Sequence, residues 1–178
     1  KDIRNVVFLG HSGSGKTTLI ETMLFESGII PRRGSVEAHN TISDFTDLER
    51  ERENTIYSHL MHAKWHNNKI NIIDTPGFDD FIGEVVSSLK VSDTALILLN
   101  AASGVEVGTE IVWEYVQNYQ TPALFVINQM DHPKADYDTT LEQAKNRFGN
   151  KVIPIQYPYN SGEKFNSIID VLRMTMYV

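Results

Sequence analysis

Lys16 closes a glycine-spaced run, Gly10-His11-Ser12-Gly13-Ser14-Gly15-Lys16-Thr17, with Thr18 directly after it. The run fits G-x-x-x-x-G-K-[ST], and each residue type has a chemical reason. A triphosphate needs many hydrogen-bond donors crowded around it. Glycines let the backbone bend so that successive N–H groups point inward. A helix that follows adds its positive N-terminus. Lys16 can place its ammonium on the β- and γ-phosphates, and the Thr17 hydroxyl can coordinate Mg²⁺. A chance match in a chain this long is on the order of 1% from average composition. A plain Gly/Ser-rich turn is therefore the weaker reading. His11 reads as a loop filler rather than a base, because the other histidines lie on separate segments.

Two further runs extend this chemistry. Ile72-Ile73-Asp74-Thr75-Pro76-Gly77 follows an apolar stretch. An Asp at the end of such a strand can hold a water on Mg²⁺. Gly77, lacking a Cβ, can bring its N–H close to a γ-phosphate. Alone this run would be a turn, but behind a phosphate loop the functional reading leads. Asn128-Gln129-Met130-Asp131 follows another apolar run and is similar to the Asn-Lys-x-Asp guanine-reading motif of GTPases. The Asp131 carboxylate can accept from guanine N1–H and the exocyclic amine, where adenine offers no donors. Asn128 would tie this loop to the phosphate loop. Thr55 closes a long polar stretch just before a strand. A Thr there can hold Mg²⁺ while a triphosphate is bound and release it afterwards.

These residues need a scaffold that gathers loops at one end. Val6–Leu9, Thr94–Leu99 and Ala123–Asn128 are short apolar runs that predict strands. Helical patterns at Thr17–Ser27, Phe81–Val91, Val105–Tyr119 and Tyr137–Phe148 alternate with them. Tyr57–Trp65 and Lys69–Asp74 predict a hairpin turning at His66-Asn67-Asn68. Lys151–Ile155 predicts one more strand. The fold class that follows is α/β: a P-loop NTPase, with a mostly parallel sheet, helices on both faces and an antiparallel edge hairpin. Ligands of such sheets sit at the carboxyl ends of the strands, where all three runs fall. Residues 28–54 are polar and irregular, as functional or mobile segments are.

The bulk numbers exclude other classes. The chain has 178 residues, enough for one domain with a core. Its 16 Lys and Arg against 23 Asp and Glu give a net charge of −7. That balance argues against DNA or a general nucleic-acid face. The absence of cysteine removes disulfides, zinc–thiolate sites and Cys nucleophiles, and fits the cytoplasm. No apolar run approaches the roughly 18 residues of a membrane span. The chain is expected to be monomeric.

Taken together the runs become specific. Glu49-Arg50-Glu51-Arg52 with Thr55-Ile56 resembles the ERERGITI stretch of translational GTPases, and Asn71–Gly77 resembles their NIIDTPGH. Gly104-Val105-Glu106 and Asn128–Asp131 fall at the expected places. Pro154–Pro158, Phe165 and Ile168–Asp170 resemble the start of the subdomain inserted in the G domain of elongation factor G. The phosphate loop is more similar to the divergent elongation factor G-like proteins than to the main factor. The resemblance implies GTP, Mg²⁺ and the ribosome, and a G domain that switches the shape of a multidomain protein during translocation. It implies Lys16 and Thr55 as catalytic residues and Thr17, Thr55 and Asp74 as metal residues. Nucleotide-binding residues would be Gly10 to Thr18, Asp74, Gly77, Asn128, Gln129 and Asp131. Residues 1–150 would be the G domain and 151–178 the start of the insertion, in an N-terminal fragment of a longer protein.

The departures carry expectations of their own. Phe78 stands where the family has the His that orients the attacking water, so hydrolysis is expected to be slow or absent while binding survives. Asp79 and Asp80 are weak substitutes for that His. Gln129 replaces the motif's Lys with a shorter, neutral stem. Gly13 replaces an Asp, Glu53-Asn54 replace Gly-Ile before Thr55, and no Ser-Ala base loop is found. Three other readings stand beside a translocation-type GTPase: a nucleotide-dependent ribosome-binding module with little turnover, a ribosome-protection or release-type factor, and, last, a P-loop kinase.

Overall fold

Along β1 (Ile3–Leu9) the side chains alternate between two cores, and this alternation organises the fold. Val7 and Leu9 join Ile73, Ala95 and Ile97 on one face. Phe8 joins Ile72 and Leu98 on the other. The period of two is the strand's own geometry. These features come from a computed structural model, which describes all residues except 1, 37, 39, 43–48, 50–54 and 78–81.

The further elements are α1 (Lys16–Glu26), β2 (His59–Trp65), β3 (Asn68–Asp74), α2 (Ile82–Leu89), β4 (Thr94–Asn100), α3 (Val107–Asn118), β5 (Ala123–Asn128) and α4 (Tyr137–Phe148). Three short strands follow, β6 (Gln156–Pro158), β7 (Ile168–Asp170) and β8 (Thr175–Tyr177). The main sheet has the order β2-β3-β1-β4-β5. β1 runs parallel to β3 and to β4, and β2 is antiparallel to β3 at one edge. Ile20 and Leu24 bring α1 onto one face. Val85 and Leu89 of α2, with Val112 and Val116 of α3, cover the other. Each such side chain contributes about 1.5–3 kcal/mol on full burial. The α/β class with helices on both faces and an antiparallel edge hairpin is thus the observed fold.

The chain divides into two compact units. Lys1–Leu98 with Val107–Val126 forms the first, and Leu99–Glu106 with Ile127–Val178 forms the second. In the second, β6, β7 and β8 make an antiparallel sheet in that order. Helix α4 starts at its cap Asp136, whose side chain accepts from Thr139 N at 2.9 Å. Backbone links close the loops of this unit, among them Tyr159 N to Ser167 O and Val171 N to Ile155 O, both 3.0 Å. They satisfy main-chain groups that lie outside the short ladders.

Several sequence expectations shift: the helix expected at Val105–Tyr119 runs Val107–Asn118, and the strand expected from Tyr57 begins at His59. Asn68 belongs to β3, so the hairpin turns on His66 and Asn67, with His66 at φ 50°. The strand expected at Lys151–Ile155 does not form. Pro154 has no N–H to give a ladder, and Val152 N turns back to Gly149 O at 3.1 Å. Pairing begins instead at Gln156.

Candidate functional site

The loop after β1 is shaped by three glycines with positive φ: Gly10 (140°), Gly13 (77°) and Gly15 (88°). A Cβ on Gly10 would stand 2.6 Å from Leu98 O, so the chain leaves the sheet there only as glycine. Ser14 N donates to His11 O at 3.3 Å and closes the turn. Gly15 then caps α1 in the left-handed region, with no side-chain cap and no acid in the first turn. The positive end of that helix is left to the loop itself. Ser12, Thr17 and Thr18 complete this segment. Lys16 is only 6% exposed, and its Nζ donates to Gly10 O (3.0 Å) and His11 O (3.1 Å). Its ammonium therefore lies back over the loop.

Asp74, at the end of β3, is paired in register with Phe8 of β1. Thr75 Oγ1 donates to Phe8 O at 2.6 Å, which locks this second motif beside the first. Thr17 Oγ1 donates to Asp74 Oδ2 at 2.8 Å and lies 3.2 Å from Thr55 Oγ1. Three oxygens from distant segments thus converge. A Cβ on Gly77 would stand 2.6 Å from Lys16 Nζ and 2.7 Å from Ser12 N. Only a residue without a side chain fits against the loop at that point.

Sequence reasoning missed what holds Thr55. The Glu49 carboxylate is fully buried and accepts from Ile56 N (3.0 Å), Tyr57 N (3.2 Å) and His59 Nε2 (2.8 Å). Glu84, in the first turn of α2, accepts from Ser58 N at 2.9 Å. Two carboxylates thereby clamp a segment that has no ladder of its own. Glu21 does the same for an earlier loop, accepting from Gly34 N at 3.1 Å and from Ile42 N. Residue type alone gives Glu49 no such role, because the role comes from its burial and its partners. Phe78, Asp79, Asp80, Glu53 and Asn54 lie outside the described residues.

In the second unit, Asn128 ends β5 and Gln129 turns the chain at φ 58°. His132 N donates to Gln129 O at 3.1 Å, and Gly162 N to Met130 O at 2.8 Å. Met130 is buried and Asp131 is exposed on the turn, where its carboxylate can accept. The structure therefore gathers Lys16, Thr17, Thr55, Asp74 and Gly77 in one unit, and Asn128, Gln129 and Asp131 on one turn of the other.

The donor set fits a phosphate and a hard cation that arrive together. Loop N–H groups and an ammonium suit phosphate oxygens. The oxygens of Thr17, Thr55 and Asp74 suit Mg²⁺, which takes few carboxylates and completes its shell with phosphate and water. Among the described residues, no group of three or more His, Cys, Asp and Glu side chains could hold a metal ion by itself. Nor is any helix among them long and apolar enough to cross a membrane.

Comparison with known proteins gives the same direction. The family model described as "Elongation factor Tu GTP binding domain" matches residues 1–176. The chain is 33% identical over 177 residues to an elongation factor G-like protein of Thermotoga maritima, covering 99% of this chain and 25% of that one. It is 39% identical over 169 residues to elongation factor G of Salinibacter ruber, covering 95% and 24%. It is 38% identical over 178 residues to the mitochondrial ribosome-releasing factor 2 of Candida dubliniensis, covering 97% and 22%. A crystal structure of a Thermus thermophilus protein superposes with a TM-score of 0.93 at 34% identity, covering 99% of this chain and 26% of that one. The chain spans about a quarter of the length of the curated relatives it matches.

Proposed function

Because the chain belongs to the elongation factor Tu GTP-binding domain family, we propose that it is the GTP-binding G domain of an elongation factor G-like translation factor that acts on the ribosome. The observation that carries this reading is the convergence of Lys16, Thr17, Thr55, Asp74 and Gly77. The backbone of Gly10 to Thr18 cradles the phosphates, and Lys16 neutralises their charge as a catalytic residue. Thr17, Thr55 and a water held by Asp74 would hold the cation, and Thr55 would let go once the γ-phosphate is gone. Mg²⁺ held by these residues would supply positive charge against that developing on the phosphates. Gly77 offers its N–H to the γ-phosphate. Asp131 accepts from guanine, with Asn128 and Gln129 framing the base. Residues 1–150 constitute the G domain and 151–178 open its inserted subdomain. The factor works as a monomer in the cytoplasm.

The reaction is hydrolysis of GTP to GDP and phosphate, slowed because Phe78 stands where a His would orient the water. A positioned group of that kind contributes about 10²–10⁴-fold, and a phenyl ring has no group for it. Phe78 also favours a second reading, a ribosome-binding module that loads GTP with little turnover. A ribosome-protection or release-type role is a third reading, since the chain is 38% identical to a ribosome-releasing factor and 39% identical to an elongation factor G. Equilibrium competition tests the base: excess ATP should fail to displace GDP, and equal competition would refute the guanine reading. Single-turnover hydrolysis with ribosomes tests the chemistry, with a rate matching ordinary elongation factor G as the result that would sink the slowed reaction.

A further inference from the structure

Asn100 ends β4 and carries two kinds of side-chain bond of opposite sense. Its Oδ1 accepts from Ala102 N (2.8 Å) and Ser103 N (3.3 Å). Its Nδ2 donates to Gln129 Oε1 at 2.7 Å. Oxygen and nitrogen of an amide are told apart by such partners. Two backbone N–H groups can only face the oxygen of Asn100, so its nitrogen must face Gln129. Gln129 then has to answer with its oxygen. Its own Nε2 hydrogens are directed away from Asn100. Backbone hydrogen bonds hold the turn under Asn100. Gly104 N returns to Asn100 O at 2.8 Å, and Ala101 N donates to Asn128 O at 2.9 Å. Gln129 itself sits at a left-handed φ of 58°, which limits where its side chain can reach.

We propose that Asn100 is a positioning residue for the base-reading turn, and that it orients the Gln129 amide so that N–H donors rather than the carbonyl meet a bound guanine nucleotide. This rests on the guanine-nucleotide reading above. An oriented amide then takes the place of the cation that the Asn-Lys-x-Asp motif puts there. It follows that the pair, not the single residue, is the unit of exchange. A Lys at 129 needs an acceptor where Asn100 now presents donors. An Asp at 100 keeps both backbone bonds but forces Gln129 to turn its carbonyl outward.

The test is GDP affinity in the full chain, read with a fluorescent GDP analogue displaced by GDP, inosine diphosphate or ADP. Asn100→Asp is expected to weaken GDP binding about five- to tenfold, the value of one or two net hydrogen bonds. Gln129→Lys alone is expected to weaken it as well, although it restores the motif. The double variant N100D/Q129K, in which the carboxylate meets the ammonium, is expected to return to within about twofold of the parent. The ratio of GDP to inosine diphosphate should hold in all of them, because Asp131 reads the 2-amine; a merely distorted turn would lose that ratio. Unchanged affinity in Asn100→Asp, tighter binding by Gln129→Lys alone, or no rescue in the double variant would each overturn the proposal while leaving the guanine reading standing. A parent protein that bound ADP as well as GDP would overturn both.

Discussion

At the scale of single residues, the phosphate loop is decided by where side chains are missing. Gly77 lies so close to Lys16 and Ser12 that a methyl group would overlap both. Two of the three nearest atoms belong to the Ser12 backbone, which cannot step aside without moving the loop. Gly77→Ala is therefore expected to cost about 1–3 kcal/mol of strain, read as roughly ten- to hundredfold weaker GDP binding. The check is calorimetric titration, with circular dichroism to show that the sheet persists. Gly13 makes the contrast, since a Cβ there meets nothing within 4 Å and only the φ of 77° resists it. The sequence already separated Gly10, Lys16, Thr17, Asp74 and Gly77 from their neighbours, because their types and spacing are chemical. It named Glu49 within a motif but gave it no role, and it was silent on Glu84 and Asn100. An acid or amide in a polar stretch acquires its meaning only when burial and partners are known.

At the scale of elements, the segment from Thr55 to Ser58 is held by carboxylates rather than by a ladder. Glu49→Ala would leave three donors around a buried hole, of which Ile56 N and His59 Nε2 are the most enclosed. A loss of about 3 kcal/mol in unfolding free energy is expected, with faster amide exchange at Ile56 and Tyr57. Glu49→Gln, whose carbonyl still accepts, should fall between. If exchange there did not change, the clamp would be idle. Helix α4 offers a pH test. Thr139 N and Oγ1 hold the Asp136 carboxyl below its usual range. A lowered native value means that the cap stabilises above the ordinary carboxylate pKa and is lost as pH falls through the native one. Asp136→Asn should melt lower than the parent at neutral pH, and the gap should close in acid below about pH 4. The helix expected at Val105–Tyr119 runs from Val107 to Asn118, whereas helix Tyr137–Phe148 was legible to the residue. The run at Lys151–Ile155 was not, because apolar composition outvoted the missing donor of Pro154.

For the whole molecule, charge and binding point in opposite directions. A chain of net charge −7 and isoelectric point near 5.3 attracts a polyanion only where donors are focused. Filter binding at physiological salt is expected to show no retention of single-stranded RNA or duplex DNA by the isolated chain. Saturable retention would reveal a basic face that the composition conceals. The same focusing has a practical corollary in amine chemistry. Lys16 is enclosed and spends its protons on two carbonyls of its own loop, whereas Lys64 and Lys134 stand in solvent. Acylating reagents should decorate the exposed lysines first and reach Lys16 last. Mass spectrometry of that one peptide would then serve as a footprint: acylation at Lys16 would time the opening of the loop, with no nucleotide, ribosome or mutation required.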